Sequence, residues 1–88
     1  MGNNVILINP RDNVAVAITG IKAGGKIIGL DAPLSAATDI PRNHKVAAAA
    51  IPAGAPVIKY GESIGLASAA IAPGEWVHTH NLKMAGDK

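Results

Sequence analysis

One short motif recurs three times in this chain: Ile21-Lys22-Ala23-Gly24-Gly25-Lys26-Ile27, Ile51-Pro52-Ala53-Gly54-Ala55-Pro56-Val57 and Ile71-Ala72-Pro73-Gly74-Glu75-Trp76-Val77. Each copy reads Ile-x-x-Gly-x-x-Ile/Val. A β-branched residue ends one extended segment, Gly supplies positive φ in a tight turn, and a second β-branched residue opens the next segment. The copies are unevenly spaced, so they read as repeated turn chemistry within one domain and not as a stacked solenoid.

Between these turns lie short strand candidates: Val5 to Ile8, Val14 to Ile18, Lys26 to Leu30, Lys45 to Ala47, Pro56 to Lys59, Ser63 to Ala67 and Trp76 to His80. Val14, Val16 and Ile18 alternate with Ala15 and Ala17, which gives one bulky face and one small face for a second layer or subunit to approach. Ala47 to Ala50 favours a helix by propensity, but Pro52 and Gly54 stop it within a turn or two. Ser35 to Asp39 reads either as a short helical turn or as a loop. The expected fold is an irregular all-β domain.

Eighty-eight residues make one domain, 1–88. Although 49% of the residues are hydrophobic, Phe is absent and Trp76 and Tyr60 are the sole Trp and Tyr. The core must be thin and built of Val, Ile and Leu, so association with another subunit, or with a second copy, is expected to supply part of the stability. The absence of cysteine removes disulfides, thiolate metal sites and a cysteine nucleophile, as suits a reducing compartment. Val5-Ile6-Leu7-Ile8 is too short for a secretory or membrane-spanning segment, so a cytoplasmic protein is expected. The net charge of +2 comes from scattered Lys and Arg without interleaved aromatics, which argues against nucleic acid as a partner.

The chemistry concentrates in Trp76-Val77-His78-Thr79-His80-Asn81-Leu82. If extended, this run puts His78 and His80 on one face. Imidazole binds divalent metals and, with a pKa of about 6.5, carries protons near neutrality. The alternative is a solvent-facing pair at a strand end.

Three stretches carry a resemblance: Ile40-Pro41-Arg42-Asn43-His44-Lys45-Val46-Ala47, Val57-Ile58-Lys59-Tyr60-Gly61-Glu62-Ser63-Ile64-Gly65, and Gly74 through Leu82. Together they resemble the SAF domain of the altronate dehydratase family. Asn9-Pro10-Arg11-Asp12-Asn13-Val14-Ala15-Val16-Ala17 is similar to the opening of that family, and Ala32 to Asp39 is the least typical stretch. In that family the domain is either the amino-terminal part of a sugar-acid dehydratase or a separate small subunit. The same small-subunit type occurs in sulfolactate sulfo-lyase. The resemblance implies a β-clip-like fold. Where the family reads Pro-x-Gly-His-Lys-Val-Ala, Asn43 stands at the glycine position. Asn tolerates left-handed backbone best among non-glycine residues, so the turn is expected to survive with an added polar side chain beside His44.

The resemblance implies removal of a proton α to a carboxylate and loss of the β-hydroxyl. A divalent cation (Fe²⁺, Mn²⁺ or Mg²⁺) can stabilise the enediolate that forms on the way. This chain lacks a full set of groups for that reaction, because no Asp or Glu joins the histidines in a ligand motif: Glu75 is expected on the face opposite His78, and Glu62 in a turn. The metal is therefore expected mainly on a large catalytic dehydratase subunit. His78 and His80 are candidate metal ligands or proton carriers, and His44 is a third catalytic candidate, its alternative being a turn histidine satisfied by backbone. Lys45, Lys59, Tyr60 and Asn81 are candidates for binding the sugar-acid substrate, and Arg42 reads better as solvated surface. Asn81 reads equally well as a strand-end cap, and Asp12 and Asn13 as turn formers. Two other readings stand beside the dehydratase one: a sulfolactate sulfo-lyase small subunit, and a domain that only binds sugar acid or mediates assembly.

Overall fold

The computed structural model describes residues 2–84. They form antiparallel sheets without any helix: β1 (Val5–Ile6), β2 (Val14–Ala17), β3 (Lys26–Ile27), β4 (Leu34–Ser35), β5 (Lys45–Ala47), β6 (Pro56–Lys59), β7 (Glu62–Ala67), β8 (Trp76–Val77) and β9 (Leu82–Met84). The all-β expectation holds. A four-stranded sheet runs β1-β2-β5-β8, a hairpin pairs β3 with β4, and a three-stranded sheet runs β6-β7-β9.

Strand alternation places the four-stranded sheet between two cores. Val5, Ala15, Ala17 and Val46 join Ile21, Ile27, Ala36 and Ile40 on one side, with Trp76 packed against them. Val14, Ala47 and Val77 join Ile51, Val57, Ala67, Ile71 and Leu82 on the other. The small Ala15 and Ala17 face is thus buried, whereas the bulky face grades from buried Val14 through half-buried Val16 to exposed Ile18.

The motif Ile-x-x-Gly occurs a fourth time, as Ile40-Pro41-Arg42-Asn43-His44-Lys45-Val46, where Asn43 takes the glycine's place with φ 68°. The four turns form two pairs that make one set of hydrogen bonds twice. Ile21 bridges Ile40 and Ile51 bridges Ile71. Gly24 N donates to Ala36 O and Asn43 N to Ala17 O, both at 2.7 Å; in the second pair Gly54 N donates to Ala67 O at 2.7 Å and Gly74 N to Ala47 O at 2.8 Å. The Asn4 amide joins Lys26 O and Ile28 N, as the Asn13 amide joins Pro56 O and Ile58 N. Asp12 accepts from Asn9 N, Tyr60 N and Gly61 N, so this buried carboxylate ties the turn after β1 to the tip of the β6–β7 hairpin. Asp12 and Asn13 therefore do more than shape their own turn.

Several strand expectations were too long. The first, second and third strands stop at Ile6, Ala17 and Ile27, and Ala47 to Ala50 starts no helix. Of Ser35 to Asp39, Ser35 belongs to β4 and 36–39 form the loop that was one of the two forms expected, with Ala36 N and Ala37 N donating to Gly25 O and Gly74 O. Glu62 lies in β7 rather than in a turn. The strand expected from Trp76 to His80 ends at Val77, and β9 follows it.

Candidate functional site

The histidine run turns because Asn81 offers its backbone better partners than a neighbouring strand could. Asn81 Oδ1 accepts from His78 N at 2.9 Å, Nδ2 donates to Trp76 O at 2.8 Å, and the Asn81 and Leu82 amides donate to His78 O. Both ends of this buried side chain are thereby used on backbone, so Asn81 caps the turn, as the strand-end alternative had it. The expected extended pair at His78 and His80 is absent, and with it the geometry that set Glu75 on the opposite face. Glu75 Oε1 instead accepts from Ala72 N within its own turn.

What gathers the imidazoles is Trp76. In the β5–β8 register Lys45 lies opposite Val77 and Val46 opposite Trp76, so one step further along His44 comes up to His78. Their ring centroids are 4.8 Å apart. The indole lies stacked on His78 at 5.3 Å with 7° between planes, and meets His80 at 5.2 Å and His44 at 5.6 Å. Trp76 Nε1 also donates to His44 Nδ1 at 3.1 Å. All three histidines thus touch one indole or one another on a half-exposed surface. Sequence reasoning missed Trp76 as the hub; its place two residues before His78 and four before His80 was the available signal.

The electrostatics are one-sided. The His78 pKa is lowered below the ordinary imidazole value by partial burial, then by His44, Lys45 and His80. Lys45 is lowered by burial and then by Lys59. Every charged group acting on these two is basic, so the patch attracts an anion and keeps His78 neutral near neutrality. Lys59 Nζ sits 5.2 Å from the centroid of its exposed neighbour Tyr60, which has φ 57° at the hairpin tip. Among the described residues no ring contact joins Tyr60 to the histidines.

The donor set does not fit a metal held by this chain alone. Among the described residues no three His, Cys, Asp or Glu side chains converge as ligands. His44 Nδ1 already accepts the indole N–H, and among the described residues no carboxylate joins the three histidines as a ligand group. Two surface hollows lie elsewhere, one of about 500 Å³ along the β3–β4 hairpin and one beside the Ile21–Ile40 bridge. The histidine patch is an open face.

Fold and patch together define a small all-β domain that gathers three imidazoles around one indole beside Lys45. Residues 3–85 match the altronate/galactarate dehydratase SAF domain, and the chain belongs to that family. It is 42% identical over 78 residues to altronate dehydratase of Escherichia coli (strain K12), covering 89% of this chain and 16% of that protein. To galactarate dehydratase (L-threo-forming) of the same organism it is 40% identical over 74 residues, covering 82% of this chain and 14% of that protein. To (2R)-sulfolactate sulfo-lyase subunit alpha of Paracoccus pantotrophus it is 51% identical over 53 residues, covering 60% of this chain and 79% of that subunit. The chain therefore spans only a small part of the dehydratases it matches. No helix among the described residues is long and apolar enough to cross a membrane.

Proposed function

We propose that this chain acts as the small subunit of a sugar-acid hydro-lyase similar to altronate dehydratase, laying its imidazole cluster over an active site that a large subunit completes. The observation that carries this reading is the gathering of His44, His78 and His80 around Trp76 on an open basic face. Lys45 and Lys59 draw in the substrate carboxylate, and neutral His78 has a lone pair free to take up a proton. Tyr60, at the hairpin tip beside Lys59, is a more peripheral substrate contact. Any divalent cation the reaction uses is held mainly by the large subunit.

Reconstitution with the large subunit tests the reading. The complex should form a 2-keto-3-deoxy acid from a sugar acid, the isolated chain should not, and His78→Ala with His80→Ala should lower kcat by about 100-fold or more. Unchanged turnover in that double variant would leave the domain a binding or assembly role. The second enzyme reading, a sulfolactate sulfo-lyase small subunit, draws support from the 51% identity to the Paracoccus subunit over 79% of that subunit. Release of sulfite in place of the keto-deoxy acid would select it.

A further inference from the structure

The Trp76–His44 contact assigns a proton. An indole N–H can only donate, so the 3.1 Å bond from Trp76 Nε1 requires a lone pair on His44 Nδ1. In the neutral ring the hydrogen must then sit on Nε2, because the bond at one imidazole nitrogen sets the state of the other. From this we propose that Trp76 is a positioning residue that locks His44 in its Nε2–H form, so that His44 presents a hydrogen-bond donor to a substrate oxygen and serves neither as a base nor as a metal ligand.

Three features support the assignment. Trp76 is itself fixed, by packing against the core, by the Val46 register, and through its carbonyl to the Asn81 amide. His44 is fixed too, because it follows Asn43 in the turn whose amide bonds to Ala17 O, and its own amide donates to Pro41 O. The stacked His78 ring covers one indole face without competing for Nε1, which belongs to His44. The two rings nearest each other therefore have divided roles. His44 offers N–H, and His78 can accept a proton. The part of this inference that concerns catalysis rests on the function proposed above, whereas the tautomer is a property of the chain by itself.

Long-range ¹H–¹⁵N spectra of the full-length labelled chain, recorded above the imidazole titration range, read the tautomer directly. His44 should show a protonated Nε2 and a bare Nδ1 with no averaging, and the indole N–H should exchange slowly. An Nδ1–H pattern, averaged shifts or a freely exchanging indole N–H would each overturn the lock. Trp76→Phe keeps an aromatic ring to stack on His78 but removes the donor, so His44 should fall back to averaged tautomers; a pattern unchanged from wild type counts against the proposal. Should the variant fail to fold, the two wild-type measurements decide.

In the reconstituted complex Trp76→Phe should lower kcat about 10- to 100-fold with little change in KM, as for other groups that fix an imidazole tautomer. It should add nothing further in a His44→Ala background. A full additional loss there would sink the positioning role. A locked tautomer together with a fully active His44→Ala complex would instead overturn the catalytic use of His44 while leaving the lock intact.

Discussion

At the scale of single residues, desolvation is the first cause of the lowered His78 pKa, and neighbouring basic groups add to it. His44, Lys45 and His80 all approach it, and each resists the arrival of another proton. Its NMR titration midpoint should therefore lie below the ordinary value of about 6.5. His44→Ala should move that midpoint upward, because one repelling neighbour is gone. A midpoint at or above the ordinary value would contradict the basic patch. For stability the sign follows from the same shift: the unfolded chain takes up this proton more readily than the folded one. His78 thus subtracts stability as pH falls below the ordinary imidazole range and has no influence above it. The ring is exposed enough that the effect should be small.

At the scale of elements, the four turns separate two demands that sequence alone confuses. Gly24 and Gly54 have positive φ but open space where a Cβ would lie, so only backbone conformation calls for glycine. At Gly74 a Cβ would run into the Ser35 carbonyl, so space calls for it as well. Asn43 shows the first case with a side chain in place, exposed and left-handed. Asn43→Gly should accordingly change unfolding free energy by less than about 1 kcal/mol, while Asn43→Val should cost about 1–2 kcal/mol. Chemical denaturation would show the difference, and equal effects of the two would refute the left-handed turn as the cause. Three turns were legible because Gly with Pro or Ala marks them, and the fourth was legible only through the family resemblance, because Asn43 stands where the marker should be. The strand expected through His80 failed for a related reason. Alternation suggested an extended run, but a side chain two residues past His78's neighbour, Asn81, captures the backbone groups a ladder would need. β4 and β9 carry too short an alternation to announce themselves. Of the site, sequence showed the three imidazoles and the adjacent lysines, but not the indole that assembles them, since a hydrogen bond from Trp76 to His44 depends on the β5–β8 register.

At the scale of the whole molecule, the duplicated turn pairs build two cores that do not stand apart. β2 sends Val14 into one and Ala15 and Ala17 into the other, and β5 does the same with Ala47 and Val46. Neither core can lose its packing while these strands keep the alternation the other requires. Unfolding should therefore be a single transition, despite an elongated shape of 41 × 23 × 20 Å. Ile40 and Ile71, one in each core, are nearly inaccessible and occupy matching bridges. Ile40→Val and Ile71→Val should each cost about 1 kcal/mol, which for a domain of this size is about 4–8 °C in Tm. Both losses should appear equally in Trp76 fluorescence, which reports the core that holds Ile40, and in the far-ultraviolet signal of all the sheets. If Ile71→Val moved the second signal and left the fluorescence transition in place, the cores would be independent units. The imidazole cluster, built on the sheet they share, would then owe its rigidity to only one of them.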